Sequence, residues 1–279
     1  MTNHDHDGLE DHDLGLSHDL PKILGRRGLL SVFGGVGVVA LAGCAADDSS
    51  TSTANQGPGG APPAASDVSV ADGEIPEETA GPYPGDGTNG PDVLAESGVV
   101  RSDITTSFGD ASGVAEGVLV TVKLKVYDLN GDEATPLAGA AVYLWHCDRG
   151  GSYSMYDGDA VDENYLRGVQ EAADDGTLQF TTIFPACYSG RWPHMHFEVY
   201  ESLDAATSGT TKLRTSQLAL PQDVCETVYA TEGYEQSVSN LAQVSLDSDG
   251  IFSDGYSLQM AKLTGSVEDG YVATLNVPV

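Results

Sequence analysis

Two of the chain's seven histidines stand one residue apart in the stretch GRWPHMHFEVY, residues 190–200. His194 and His196 alternate with Met195, Phe197 and Val199, the period of two expected of a half-buried β-strand, so both imidazoles leave the same face. Two such imidazoles can reach one ion, and neutral imidazole is a ready nitrogen ligand for iron, copper and zinc. The other reading is a pair of hydrogen-bonded polar residues on a strand, and the H-x-H spacing alone does not separate the two. Four of the remaining histidines (His4, His6, His12, His18) fall in the first eighteen residues, a segment expected to be removed, which leaves His146.

The elements that position the pair must come from the last two hundred residues. Arg26 and Arg27 precede an apolar run ending in Leu41, Ala42, Gly43 and Cys44. Paired arginines before such a run indicate twin-arginine export, and small residues before a cysteine indicate a lipoprotein signal. The run is too short and glycine-rich for a good membrane-spanning helix. Residues 1–43 are thus expected to be a signal peptide, with Cys44 the acylated first residue of an exported protein tethered to the outer face of the cell membrane. Residues 44–76, rich in Ser, Thr, Ala, Gly and Pro, cannot bury enough apolar surface to offset their ordering entropy and read as a flexible tether. Residues 77–279 remain, enough for one domain with a real core. The chain carries 42 acidic and 12 basic residues, a formal charge of -30, which makes nucleic acid and anionic lipid surfaces poor partners of the domain.

Within that domain GVLVTVKLKVYDL alternates Val118, Val120, Val122, Leu124 and Val126 against Lys123 and Lys125. AGAAVYLWHC, GTLQFTTIF and HMHFEVYES follow, and QMAKLTGSVEDGYVATLNVPV closes as a hairpin. The expected fold is all-β, a β-sandwich with short peripheral helices. Two helical turns are expected at PQDVCETVYA and GYEQSVSNLAQVS, with Asp223 as an N-cap. LDSDGIFSDG, with Asp247, Asp249 and Asp254, misses the calcium-loop spacing and reads as a polar turn.

Tyr188 in PACYSGRWPH and Tyr153 in RGGSYSMYD stand upstream of the histidines. The order PLAGAAVYLWHCDRGGSYS, NYLRGVQ, GTLQFTTIFPACYSGRWPHMHF, TSQLALP resembles the intradiol ring-cleavage dioxygenases, the non-haem iron enzymes that include catechol 1,2-dioxygenase and protocatechuate 3,4-dioxygenase. ETAGPYPG is similar to the family's substrate-side T-x-G-P-[YF] segment. The likeness spans about residues 76–220. It implies Tyr153, Tyr188, His194 and His196 as four ligands of a ferric ion, Tyr188 and His196 axial, Tyr153 and His194 equatorial. Two phenolates suit the hard Fe(III) ion, whose charge is what lets a tyrosine ionise near neutral pH. A catechol-type substrate would bind as a dianion, displacing Tyr188, and react with O2. The resemblance further implies Arg191 as the group that stabilises developing negative charge, Gln217 as a guide of oxygen insertion, and Gly81, Pro82 and Tyr83 as substrate-binding residues. Trp192 reads as packing by itself, while the resemblance puts its neighbourhood against substrate. Tyr156, three residues beyond Tyr153, stays open as the alternative ligand.

Cys147, Cys187 and Cys225 remain after Cys44. Export favours a disulfide and the odd count leaves one thiol over; the pair Cys187 and Cys225 would stiffen the loop that presents Tyr188. The rival reading is a non-catalytic sandwich lipoprotein that binds a ligand, or copper through H-x-H. Neither the particular catechol nor the oligomeric state is written in the sequence.

Overall fold

The computed structural model describes residues 73–130, 133–209 and 212–279. The expected signal peptide, most of the expected tether and the expected acylation site Cys44 lie outside the described residues. The domain begins earlier than residue 77: Ile75 is fully buried in the main core and its amide donates to Pro278 O at 2.8 Å, so the chain is already held before the expected end of the tether.

The described chain is an all-β sandwich of two sheets. The first is built on β1 (Leu119–Asn130), which pairs with β2 (Glu133–Pro136) and β5 (Thr177–Ile183) along one edge and in parallel with β9 (Gly270–Pro278) along the other; β8 (Lys262–Ser266) completes it. The second is antiparallel, in the order β4 (Arg167–Glu171), β3 (Ala141–Trp145), β6 (His194–Tyr200), β7 (Arg214–Ala219). Alternation does the sorting. Val120, Val122, Leu124 and Val126 of β1 with Phe180, Ala273 and Val277 face Val142, Leu144, Met195, Phe197, Val199 and Leu218 across the core.

The opposite face of the second sheet carries the polar residues, and the structure corrects the half-buried reading there. All seven residues of β6 are buried, because the segments around residues 75–115, 146–166, 184–193 and 244–261 cover the outer face as the first sheet covers the inner one. Three short helices lie outside: α1 (Leu203–Thr207), capped by the Ser202 hydroxyl, α2 (Gln222–Tyr229) and α3 (Glu235–Leu241). The last two fall where the sequence placed helical turns. Asp223 is not the N-cap: Pro221 holds that position without a side-chain bond, and Asp223 stands in the first turn, where a carboxylate favours the helix dipole.

Candidate metal centre

The outer face of the second sheet aligns one row of side chains across its strands: Arg167 opposite Trp145, Trp145 opposite His196, His196 opposite Gln217. His196 stacks on Trp145 with ring centroids 5.0 Å apart and planes within 8°, which fixes its tilt. His194 is fixed differently. Its Nδ1 donates to Trp192 O at 2.5 Å, and since a carbonyl only accepts, the proton sits on Nδ1 and the Nε2 lone pair is free to bind a cation. That Nε2 lies 3.1 Å from His196 Nε2 and 3.1 Å from Tyr188 Oη. Two nitrogen donors at right angles, each about 2.1 Å from one ion, would stand about 3.0 Å apart.

The tyrosines arrive on loops held by unrelated means. Tyr153 belongs to the β3–β4 connection, where its amide donates to Asp157 Oδ1 at 2.6 Å. Met155 follows at φ +72°, a left-handed conformation that costs a non-glycine residue about 1–2 kcal/mol. Arg167 offsets that strain: its Nε and Nη2 bond Ser154 Oγ and Ser154 O, while Nη1 and Nη2 take Pro84 O and Tyr83 O, so one fully buried guanidinium ties the Tyr153 loop to the Gly81–Tyr83 segment. Tyr188 follows the end of β5. Tyr234 and Tyr229 bond the carbonyls of Phe184 and Pro185, and Ser237 and Asn240 of α3 bond the amide and carbonyl of Cys187.

Those helix contacts do what a disulfide was expected to do. Cys187 and Cys225 are free and buried, as is Cys147. Burial pushes the Cys187 thiol up to about 12, and its Sγ donates to Arg191 O at 3.4 Å. Tyr156 is engaged elsewhere: its hydroxyl accepts Gly85 N–H at 2.9 Å and its ring faces Arg167, while the Tyr153 ring lies 6.1 Å from that of Tyr188 and 6.2 Å from that of His196.

Burial and neighbouring charge set the protonation of these donors. Burial drives both imidazoles well below their ordinary range, with Arg191 pushing His194 the same way and His194 pushing His196. Burial also raises the Tyr153 and Tyr188 hydroxyls; neighbouring Tyr188 adds to the rise at Tyr153, whereas Arg191 opposes it at Tyr188. Alone, the four groups are neutral donors, and the Tyr153 hydroxyl is buried without a hydrogen-bond partner. Two imidazole lone pairs and two phenols that only a metal's charge would ionise fit a ferric ion. Among the described residues no three His, Cys, Asp or Glu side chains gather as a metal group, so the tyrosines are what completes this set.

The flanking residues fall on both sides of expectation. Gly81, at φ +73°, lies against the imidazole of His196: an added Cβ would stand 3.2 Å from His196 Cε1. The Tyr83 ring lies 4.9 Å from that of Tyr153, and Pro82 offers its carbonyl to Asn89. Gln217 bridges, its Oε1 accepting from Arg191 Nη2 at 2.7 Å and its Nε2 donating to Thr79 O at 3.0 Å. The Trp192 ring is packed into the interior. Its indole N–H donates to Leu220 O and its ring packs with Ala219, Ile251 and Phe252, so its main chain rather than its ring serves the site, the carbonyl holding His194 and the N–H donating to Asp249. Sequence reasoning also missed Asp249. Far from a solvated turn, it is fully buried and accepts from Arg191 Nε at 2.9 Å. Arg167 went unassigned too, although it lies in the quoted stretch NYLRGVQ.

Residues 89–221 match the family model described as Dioxygenase. Among curated relatives, the chain is 37% identical over 54 residues to a chlorocatechol 1,2-dioxygenase of Rhodococcus opacus, covering 19% of this chain and 21% of that protein. It is 30% identical over 103 residues to catechol 1,2-dioxygenase 1 of Acinetobacter lwoffii, covering 30% and 32%. The chain thus spans a third or less of the curated relatives it matches. An intradiol ring-cleavage dioxygenase structure from Tetranychus urticae shares the fold, with a TM-score of 0.58 at 24% identity over 74% of this chain and 94% of that one. Residues 89–221 thus match the Dioxygenase family model, short stretches are similar to catechol-type 1,2-dioxygenases, and the sandwich shares its fold with an intradiol ring-cleavage dioxygenase.

Proposed function

We propose that this protein is a non-haem Fe(III)-dependent dioxygenase that opens a catechol-type ring between its two hydroxylated carbons, giving a cis,cis-muconate-type diacid. The observation that carries the reading is the convergence of the Tyr188 hydroxyl and the two Nε2 atoms on one spot beside Arg191, with the buried Tyr153 ring edge-on to Tyr188 and His196. When bound there, a ferric ion would supply the Lewis acidity that takes a catechol in as its dianion and readies the ring for O2.

The rest falls to the chain's own groups. Tyr153 and Tyr188, as phenolates, would balance two of the three positive charges. Tyr153 is buried while Tyr188 is partly exposed, which makes Tyr188 the hydroxyl free to swing aside for substrate and its Oη the acceptor for a catechol proton. The Trp192 carbonyl and the Trp145 ring keep the two imidazoles from following it. Arg191 is pushed up by the Tyr188 and Asp249 charges against the opposing effect of burial, its largest influence, so it stays cationic where negative charge develops. Gln217 sets the spacing between that guanidinium and the Thr79–Tyr83 segment, whose Tyr83 ring walls the site against Tyr153. Arg191, His194 and His196 are buried, so charge among them is screened less than it would be at the surface. One catechol and one O2 account for every atom of the diacid, and no external reductant is needed.

The experiment is product analysis after turnover of the iron-loaded protein with catechol under labelled O2. Both labelled atoms are expected in a cis,cis-muconate-type acid. The yellow semialdehyde of cleavage outside the diol would overturn the proposal. Its setting at the outer face of the membrane rests on Arg26, Arg27 and the Leu41–Cys44 stretch.

A further inference from the structure

We infer that Asp249 is the positioning residue that aims Arg191 at the candidate metal centre; the inference rests on the dioxygenase reading and deepens it. A guanidinium offers five donors on a rigid fork at the end of a flexible stem, so its direction must be imposed from outside. In a chain with 42 acidic residues an untethered arginine has many other carboxylates to turn to.

Asp249 imposes that direction because its own position does not depend on the arginine. Its carboxylate accepts the main-chain N–H groups of Trp192 at 2.7 Å, Ile251 at 2.8 Å and Phe252 at 3.2 Å. Two of these belong to its own turn and the third to the segment leading into β6. The fixed carboxylate then takes Arg191 Nε at 2.9 Å, with Nη2 a further 3.5 Å from Oδ1. Gln217 Oε1 takes Nη2 at 2.7 Å. With those two nitrogens held, Nη1 is left directed at the donor cluster, 3.5 Å from His194 Nε2.

The pairing has a second effect. A bare guanidinium 3.5 Å from a ligand nitrogen would repel a metal cation, whereas Arg191 with Asp249 is neutral in sum. Asp249 therefore lets one cation sit beside another while leaving a directed N–H for charge that develops on the substrate.

The test is a two-residue cycle on iron-loaded protein, read as iron per chain, anaerobic catechol affinity from the visible spectrum, and kcat. Asp249→Asn keeps the shape and removes the charge. We expect soluble yield to hold, iron per chain to fall because Arg191 loses its counter-charge, catechol affinity per bound iron to change by less than about threefold, and kcat per bound iron to fall about tenfold to a hundredfold, below the loss typical of removing a charge-stabilising donor outright. Asp249→Asn added to Arg191→Met should lower kcat per bound iron no further than Arg191→Met does alone. Should Asp249→Asn be insoluble, that comparison still decides, since the double variant leaves no guanidinium buried without its carboxylate. Wild-type kcat per bound iron in Asp249→Asn, or an additional loss when it is combined with Arg191→Met, would overturn the inference. An iron-loaded wild-type protein that cleaves no catechol would instead bring down the dioxygenase reading, and the inference with it.

Discussion

Gly81→Ala adds one methyl group at a place the structure leaves no room for it. The glycine sits at φ +73°, where an L residue costs about 1–2 kcal/mol of backbone strain. Its new Cβ would also stand 3.2 Å from His196 Cε1, inside comfortable contact by a few tenths of an ångström. Trp145, stacked on the imidazole at 5.0 Å, resists its displacement. The Thr79–Tyr83 segment must move instead, straining the Gln217 bond to Thr79 O and shifting Tyr83 off Tyr153. For a domain of this size 1 kcal/mol is about 2–4 °C, so a Tm loss of about 2–8 °C is expected. Because small misplacements near reacting atoms are costly, kcat/KM should fall about tenfold with iron content unchanged. Scanning calorimetry and steady-state kinetics on iron-matched samples measure both. A variant with wild-type Tm and wild-type kcat/KM would refute the close approach of Gly81 to His196 as a determinant of the site.

His146 is buried, with Nδ1 bonded to Cys147 O and Nε2 to Thr182 Oγ1, and burial lowers its pKa from 6.5 to about 4. The unfolded chain therefore binds a proton that the native chain refuses: stability is full above about pH 6.5 and falls towards pH 4, by up to about 3 kcal/mol. Urea unfolding of His146→Gln should show a shallower fall over that window than wild type, and equal slopes would contradict the account. Alkylation of the denatured protein without reductant should label Cys147, Cys187 and Cys225 in full; a mass matching a Cys187–Cys225 bridge would reinstate the disulfide. Cys44→Ala should abolish lipid labelling and move the protein out of the membrane fraction, and unchanged fractionation would remove the lipid anchor from the proposal.

What the sequence showed and what it hid divide along physical lines. The alternation of His194 and His196 against Met195 and Phe197 is a local property of a strand, and the second sheet presents both imidazoles to one face as that alternation requires. That β6 is covered on both faces is not local: it depends on loops from four distant parts of the chain. Tyr153 and Tyr156 have the same chemistry at neighbouring positions, and only Gly85 N–H, 71 residues from Tyr156, separates them. Asp249 was hidden by abundance, since one buried carboxylate among 42 acids carries no compositional mark and its partner Arg191 lies 58 residues away. The cysteine pairing failed for a related reason: parity and compartment suggest a bridge, but Ser237 and Asn240 already hold the Cys187 peptide. Trp192 sits beside the site in sequence while its ring turns into the Phe252 cluster.

The measurement that bears most directly on the central claim is the iron content and visible spectrum of the purified domain, beside His196→Ala and Tyr156→Phe. About one ferric ion per chain and a red tyrosinate charge-transfer band are expected in wild type and Tyr156→Phe, with both lost or sharply reduced in His196→Ala. A wild-type protein that stays colourless and iron-free after reconstitution, or a His196→Ala variant that keeps full iron and colour, would contradict a centre built from Tyr153, Tyr188, His194 and His196.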